Sequence, residues 1–214
     1  MIGKLIPYLI MAATLWAALW RQAPYEAFLL LALMTAWYTT RIALTSYDPT
    51  KVTQERDAKR ERPLASAVGF AMVIGPVLTL ATPLFDFAAY SVLPGQIVAG
   101  TVMGLAGLYI FYRSHADLGE MWSAHLELRE QHRLITQGIY ARMRHPMYTA
   151  IFLICASQAL ILANWLTGPL AFIVFWLLYV TRIRSEEQMM ADTFGSAWES
   201  YAAETPRLLP KISR

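Results

Sequence analysis

Apolar residues run along the chain in long blocks, at about 5–20, 25–44, 66–88, 95–113, 147–163 and 166–183, each bounded by charge, Pro, Gly or Asn. A helix needs roughly 20 apolar residues to cross roughly 30 Å of hydrocarbon, and most of the blocks approach that length. The pattern predicts an all-α, polytopic transmembrane helical bundle with five or six spans. The last two blocks are short and separated only by Asn164 and Trp165, so residues 147–183 read as a tight helical hairpin whose turn need not leave the membrane fully.

Composition selects the same solvent: 57% of the 214 residues are hydrophobic, 15% are charged and mean hydropathy is +0.39, which favours a membrane class over a soluble one. Charge then tests the span count. With a cytoplasmic N-terminus the outer connections are 21–24, 86–94 and 164–165. Of 18 Lys and Arg residues only Arg21 falls there, and the other 17 gather on the cytoplasmic side. Removing the first block as a span preserves the rest with an outside N-terminus, which is the five-span alternative. The block "LIPYLIMAATLWAALW" has no convincing small-residue cleavage site and reads as a retained span rather than a signal peptide.

The net charge of +3 and pI near 9.0 therefore call for anionic membrane lipids as partners and for no nucleic acid. Cys155, the single cysteine, stands in an apolar block and reads as a small buried hydrophobe. The histidines at 115, 125, 132 and 145 are 10, 7 and 13 apart, which is no compact metal-binding spacing, and no metal is expected.

Two polar regions interrupt the hydrophobic monotony. Residues 1–113 form an N-terminal set of helices with a cytoplasmic loop at 45–65, "TSYDPTKVTQERDAKRERPLAS" in its wider context. That loop could carry a short surface helix with Glu55 paired to Lys59, as a solvated connection or as a lid over a lipid-facing pocket. Residues 114–214 include the hairpin and the richer stretch "FYRSHADLGEMWSAHLELREQHRLITQGIYARMRHPMY". Gly138 suits a turn or close backbone approach. Pro146 suits the first position of a helix and pushes His145 toward an extended conformation. The result is a corner whose following N–H groups open toward the membrane surface, ready for a carboxylate.

The last region, "YVTRIRSEEQMMADTFGSAWESYAAETPRLLP", places Arg182 and Glu186 four residues apart on one helix face, with Glu187 rotated by about 100°. Met189, Met190, Phe194, Trp198 and Tyr201 would seat a surface helix. A charged pair where a span emerges can meet both a soluble cofactor and a lipid-soluble acceptor.

In the order "LGEMWS", "HRLITQGIYARMRHPMY", then "RIRSEEQMMADTFGSAWESYAAETPRLLP", the chain resembles the integral-membrane isoprenylcysteine carboxyl methyltransferase family, within the wider phospholipid methyltransferase group, over about residues 118–210. The resemblance implies an S-adenosylmethionine-dependent methyltransferase acting at the cytoplasmic membrane surface, with the C-terminal cytoplasmic helical region forming the cofactor pocket. It implies cofactor contacts at His132, Leu134, Ile135, Gly138, Tyr140, Arg144, His145, Pro146, Tyr148 and Glu187, and places Arg182 and Glu186 near the acceptor. Which of the adjacent glutamates touches the cofactor is left open. The glycine-rich cofactor motif of soluble folds is absent.

Such a cofactor presents a carboxylate, an ammonium, a ribose and a sulfonium, so it needs donors, acceptors and an apolar or aromatic wall. Backbone donors after Pro146 and an Arg would take the carboxylate, Glu187 a hydroxyl or the ammonium, and Tyr140 or Tyr148 would cover the base. The acceptor is expected to be lipophilic or amphiphilic. A carboxylate acceptor needs only orientation by Arg182, whereas an amine or thiol would ask Glu186 or His145 to handle a proton. The alternatives are an NADPH-dependent membrane reductase of the sterol reductase type and a non-catalytic lipid-binding protein.

Overall fold

The computed structural model describes residues 2–44, 52–55, 58–119, 127–129 and 133–211. His132 and His125 lie outside the described residues, as do the side chains of Glu55 and Lys59. The helices are α1 (Ile2–Trp20), α2 (Tyr25–Leu44), α3 (Ala58–Gly69), α4 (Gly75–Ala81), α5 (Pro94–Leu118), α6 (Pro146–Ile161), α7 (Thr167–Phe194) and α8 (Ser196–Glu204). A π-helical segment, Phe70–Ile74, joins α3 to α4 into one rod. Strands β1 (Val52–Glu55) and β2 (Glu127–Arg129) pair antiparallel into a small ribbon that hydrophobic periodicity did not predict.

Four helical rods are long and apolar enough to cross a membrane: Tyr25–Leu44, Arg62–Ala81, Pro94–Leu118 and Thr167–Phe194. Leu5–Trp20 and Pro146–Ile161 are shorter apolar helices, so each of the six expected blocks contains a helix and the helices differ in reach. The third block was drawn too long. Its helix stops at Ala81, where Thr82 turns extended and Pro83 follows, and residues 83–93 become an irregular connection with a short 3₁₀ turn, Asp86–Ala88. The sixth block was drawn too short, because α7 continues through the charged stretch until Gly195, whose φ of 52° ends it.

The centre of the bundle is the α5–α6 pair. A Cβ on Gly100 would lie 2.7 Å from Ile161 Cγ1, one on Gly104 2.7 Å from Ser157 Oγ, and one on Gly107 3.0 Å from the carbonyl of Ala150. The small residues thus let the two backbones close together, as helices do in lipid, where van der Waals packing replaces the hydrophobic effect as the driving force. Gln158 of α6 donates to the carbonyl of Ala71 (3.0 Å) in the π segment and to that of Thr167 (3.2 Å), satisfying backbone groups that hydrocarbon cannot.

The connections expected on one side of the bundle meet there. Arg21 pairs with Asp86 at 2.7 Å, Asn164 donates to the carbonyl of Phe85 at 2.7 Å, and the Asn164 side-chain oxygen accepts from Leu166 and Thr167 at the start of α7. At the other end the C-terminus of α5, the N-terminus of α6 and the charged half of α7 converge on the corner at 138–145.

Candidate active site

The corner is built by one glycine and one aspartate. Gly138 sits at φ 61°, and a Cβ there would fall 2.2 Å from Asp117 Oδ2, so only glycine fits both the left-handed backbone and the space. The vacated space lets Asp117, at the end of α5, accept from the Ile139 N–H at 2.7 Å while its carboxylate pairs with Arg113 at 3.0 Å. Tyr140 then turns inward and is buried. Its hydroxyl approaches the Ser114 carbonyl at 3.4 Å, and its own carbonyl accepts from Tyr201 of α8 at 2.7 Å. Burial of the Tyr140 phenol pushes its pKa up, so it stays neutral. Tyr140 is therefore a wedge in the fold rather than an open aromatic wall.

The C-terminal tail closes the corner as a strap. Arg144 N–H donates to Pro206 (2.9 Å), His145 N–H to Arg207 (2.9 Å) and Lys211 N–H to Arg142 (2.8 Å), while Thr149 Oγ1 donates to Leu208 (2.7 Å). Arg144 is clamped beneath it. Its guanidinium donates to the carbonyls of Ala202 (2.6 Å) and Thr205, pairs with Glu187 at 2.9 Å and lies 5.9 Å over the Trp198 ring. Its Nε is buried without a partner. Pro146, fully buried, opens α6 as the sequence predicts.

His145 stands between the two glutamates. Nε2 lies 3.2 Å from Glu187 Oε1 and Nδ1 lies 3.7 Å from Glu186 Oε1. Acceptors at both nitrogens suit the doubly protonated ring. Burial lowers the pKa of His145, but the close contacts with Glu186 and Glu187 and their negative charges outweigh it, and the net shift is upward. A raised folded value means that the stabilisation is full below the unfolded pKa, about 6.5, and is lost as pH rises through the folded one. The melting temperature in detergent should therefore fall as pH rises above neutral, and His145→Gln should flatten that slope. A wild-type profile already flat between pH 6 and 9 would contradict the pairing.

Each glutamate has its own retinue. Glu186 accepts from the Tyr148 hydroxyl at 2.5 Å and faces Arg182 Nε at 3.5 Å, with Tyr148 packed at 5.6 Å on the His145 ring and 5.2 Å edge-on to Tyr179. Glu187 collects Arg144, His145 and Arg207, the last through Nε at 2.9 and 3.1 Å and Nη2 at 2.5 Å. Of the residues expected from the sequence, Arg144, His145, Tyr148, Arg182, Glu186 and Glu187 form one connected network, and Gly138, Tyr140 and Pro146 shape its support. Leu134 and Ile135 lie half-buried in the irregular chain that leads to the corner. Sequence reasoning missed Asp117 and Arg207, and gave Tyr201 a seat on a surface helix without its bond to the Tyr140 carbonyl. The signal for Arg207 was weak: one basic residue after the Thr-Pro that ends α8. Among the described residues no group of three or more His, Cys, Asp or Glu is placed to hold a metal ion.

Residues 99–192 match the model of the Isoprenylcysteine carboxyl methyltransferase (ICMT) family, a match that includes the corner, Arg182 and both glutamates and excludes the strap. The chain is 34% identical over 83 residues to the protein-S-isoprenylcysteine O-methyltransferase of Schizosaccharomyces pombe, covering 39% of this chain and 35% of that one. It is 34% identical over 102 residues to the cobalt-zinc-cadmium resistance protein CzcN of Cupriavidus metallidurans, covering 47% and 46%. These alignments span about a third to a half of the curated relatives. The solved structure of a eukaryotic intramembrane Ras methyltransferase ICMT superposes with a TM-score of 0.61 at 20% identity, covering 97% of this chain and 74% of that one, so the fold is shared nearly end to end. With four helices long and apolar enough to cross a membrane, this shared fold and the match over residues 99–192, the chain is similar to the ICMT family in the region where the sequence resemblance was read.

Proposed function

We propose that the chain is an S-adenosylmethionine-dependent methyltransferase that modifies a lipophilic or amphiphilic acceptor, a carboxylate, at the cytoplasmic membrane surface. The observation that carries this reading is the split of one site between adjacent carboxylates where α7 leaves its apolar stretch. Glu187 belongs to the solvent-side strap, and Glu186 to Arg182 and the aromatic wall of the bundle. A soluble donor and a membrane-borne acceptor need such a division.

The residues present fit the donor: a carboxylate for its ammonium, cations for its carboxylate, and a rim open at Arg207. His145, Glu187 and Arg207 would hold it, and when bound it supplies an electrophilic methyl group on a sulfonium. The chain's own contribution is alignment and exclusion of water. Arg182 orients the acceptor oxygen, and Glu186 fixes Arg182. Glu186 already accepts from Tyr148 and lies beside two cations, His145 and Arg182, which makes it a poor proton acceptor. That favours an acceptor that arrives ionised over an amine or thiol that must be deprotonated.

The reading is tested by titrating the purified chain in detergent with S-adenosylmethionine and, separately, with NADPH, and by incubating it with isotope-labelled donor and a membrane lipid extract. Saturable donor binding, no NADPH binding and label in a base-labile ester are expected. NADPH binding without donor binding would replace the methyltransferase reading with a reductase.

A further inference from the structure

Three of the four cations around the glutamates are enclosed. The side chains of His145, Arg144 and Arg182 are 5%, 10% and 14% exposed, whereas Arg207 remains 53% exposed after its bonds to Glu187 are made. Arg144 is committed to two carbonyls, Glu187 and the Trp198 face, and its Nε is sealed from solvent. Arg182 belongs to the Glu186 side. Arg207 is thus the cation of this network that a ligand from solvent meets first.

A guanidinium and a carboxylate bonded fork to fork at a solvent rim present a positive and a negative group side by side. That is the complement of an α-amino acid, whose ammonium and carboxylate are likewise adjacent. We propose that Arg207 and Glu187 form a clamp for the amino-acid end of the methyl donor, with Arg207 the residue that recognises its α-carboxylate. The inference rests on the methyl-donor reading above. The strap sets the position of Arg207 through its backbone, since the Arg207 carbonyl accepts from the His145 N–H and the neighbouring Leu208 carbonyl accepts from the Thr149 hydroxyl, so the side chain can be changed while the strap stays docked.

The test compares ligands as well as proteins. The full chain, in detergent, is titrated calorimetrically with S-adenosylmethionine, with its decarboxylated analogue and with methylthioadenosine, which lacks the amino-acid end. Wild type should bind the complete donor about 10- to 100-fold more tightly than the decarboxylated analogue, the range expected for a charge-assisted hydrogen bond. Arg207→Ala should lose that preference, binding both alike, and leave methylthioadenosine binding unchanged. Arg207→Lys should restore part of the preference, because charge is kept and the fork is lost. A merely structural arginine predicts equal weakening toward all three ligands together with a lower melting temperature, and that result overturns the clamp. So does folded Arg207→Ala protein with the wild-type preference, or wild type that binds the donor with no preference for its carboxylate. Wild type that binds no adenosyl ligand at all overturns the methyltransferase reading instead.

Discussion

Arg182→Ala protein should turn over its acceptor about 100- to 1000-fold more slowly than wild type, the range seen when one preorganised donor is removed from a reacting group, while its affinity for S-adenosylmethionine changes little. The expectation follows from where Arg182 stands. It lies one helical turn before Glu186, at 3.5 Å, on the face of α7 that also meets Tyr148, and the donor-side groups all attach to Glu187 instead. Glu186→Gln should be nearly as damaging, because it releases both Arg182 and the Tyr148 hydroxyl. The double variant should cost less than the sum of the single losses, since the two residues act as one positioning unit. Steady-state kinetics on the acceptor found by the lipid screen, with donor affinity measured in parallel, decides the matter. Folded Arg182→Ala protein with wild-type turnover would remove Arg182 from the acceptor side. A lower melting temperature with normal activity in the surviving protein would make the pair structural.

The helices were legible because lipid imposes a simple rule: blocks of apolar residues of spanning length, with backbone bonds satisfied inside each block. The rule fails at ends. Thr82 and Pro83 stop α4 inside an apolar block, and the charged half of α7 stays helical because nothing before Gly195 breaks it. The Arg182–Glu186 pair was legible for the same reason, since a four-residue spacing on a continuous helix is a local property. The strap was not. Its bonds join the turn and first helical residues at 142–149 to the tail at 206–211, and no periodicity announces a partner about 60 residues away. Asp117 was hidden in the same way: only the folded corner shows that the space Gly138 leaves open is filled by a carboxylate from α5.

The strap also changes what Arg144 is for. The family resemblance groups it with the cofactor contacts, and its folded surroundings also make it the bolt that joins the start of α6 to α7, α8 and the tail. Removing a partner from an enclosed ion pair costs about 3–5 kcal/mol, because the remaining charge is stranded, and Arg144→Ala also leaves the carbonyls of Ala202 and Thr205 without a donor. Arg144→Ala should therefore destabilise the fold by about 3–5 kcal/mol, read by chemical denaturation in detergent. Arg144→Lys should recover part of that, since one ammonium cannot serve two carbonyls and Glu187 with the geometry of a guanidinium. Arg207 binds the same carboxylate from a half-exposed position, where solvent screens the pair, so Arg207→Ala should cost under about 1 kcal/mol of stability. The contrast tests the division itself: two arginines on one glutamate, the enclosed one holding the strap and the exposed one facing the ligand. An Arg144→Ala protein as stable as wild type, or an Arg207→Ala protein that unfolds as readily as Arg144→Ala, would show that the network divides along another line.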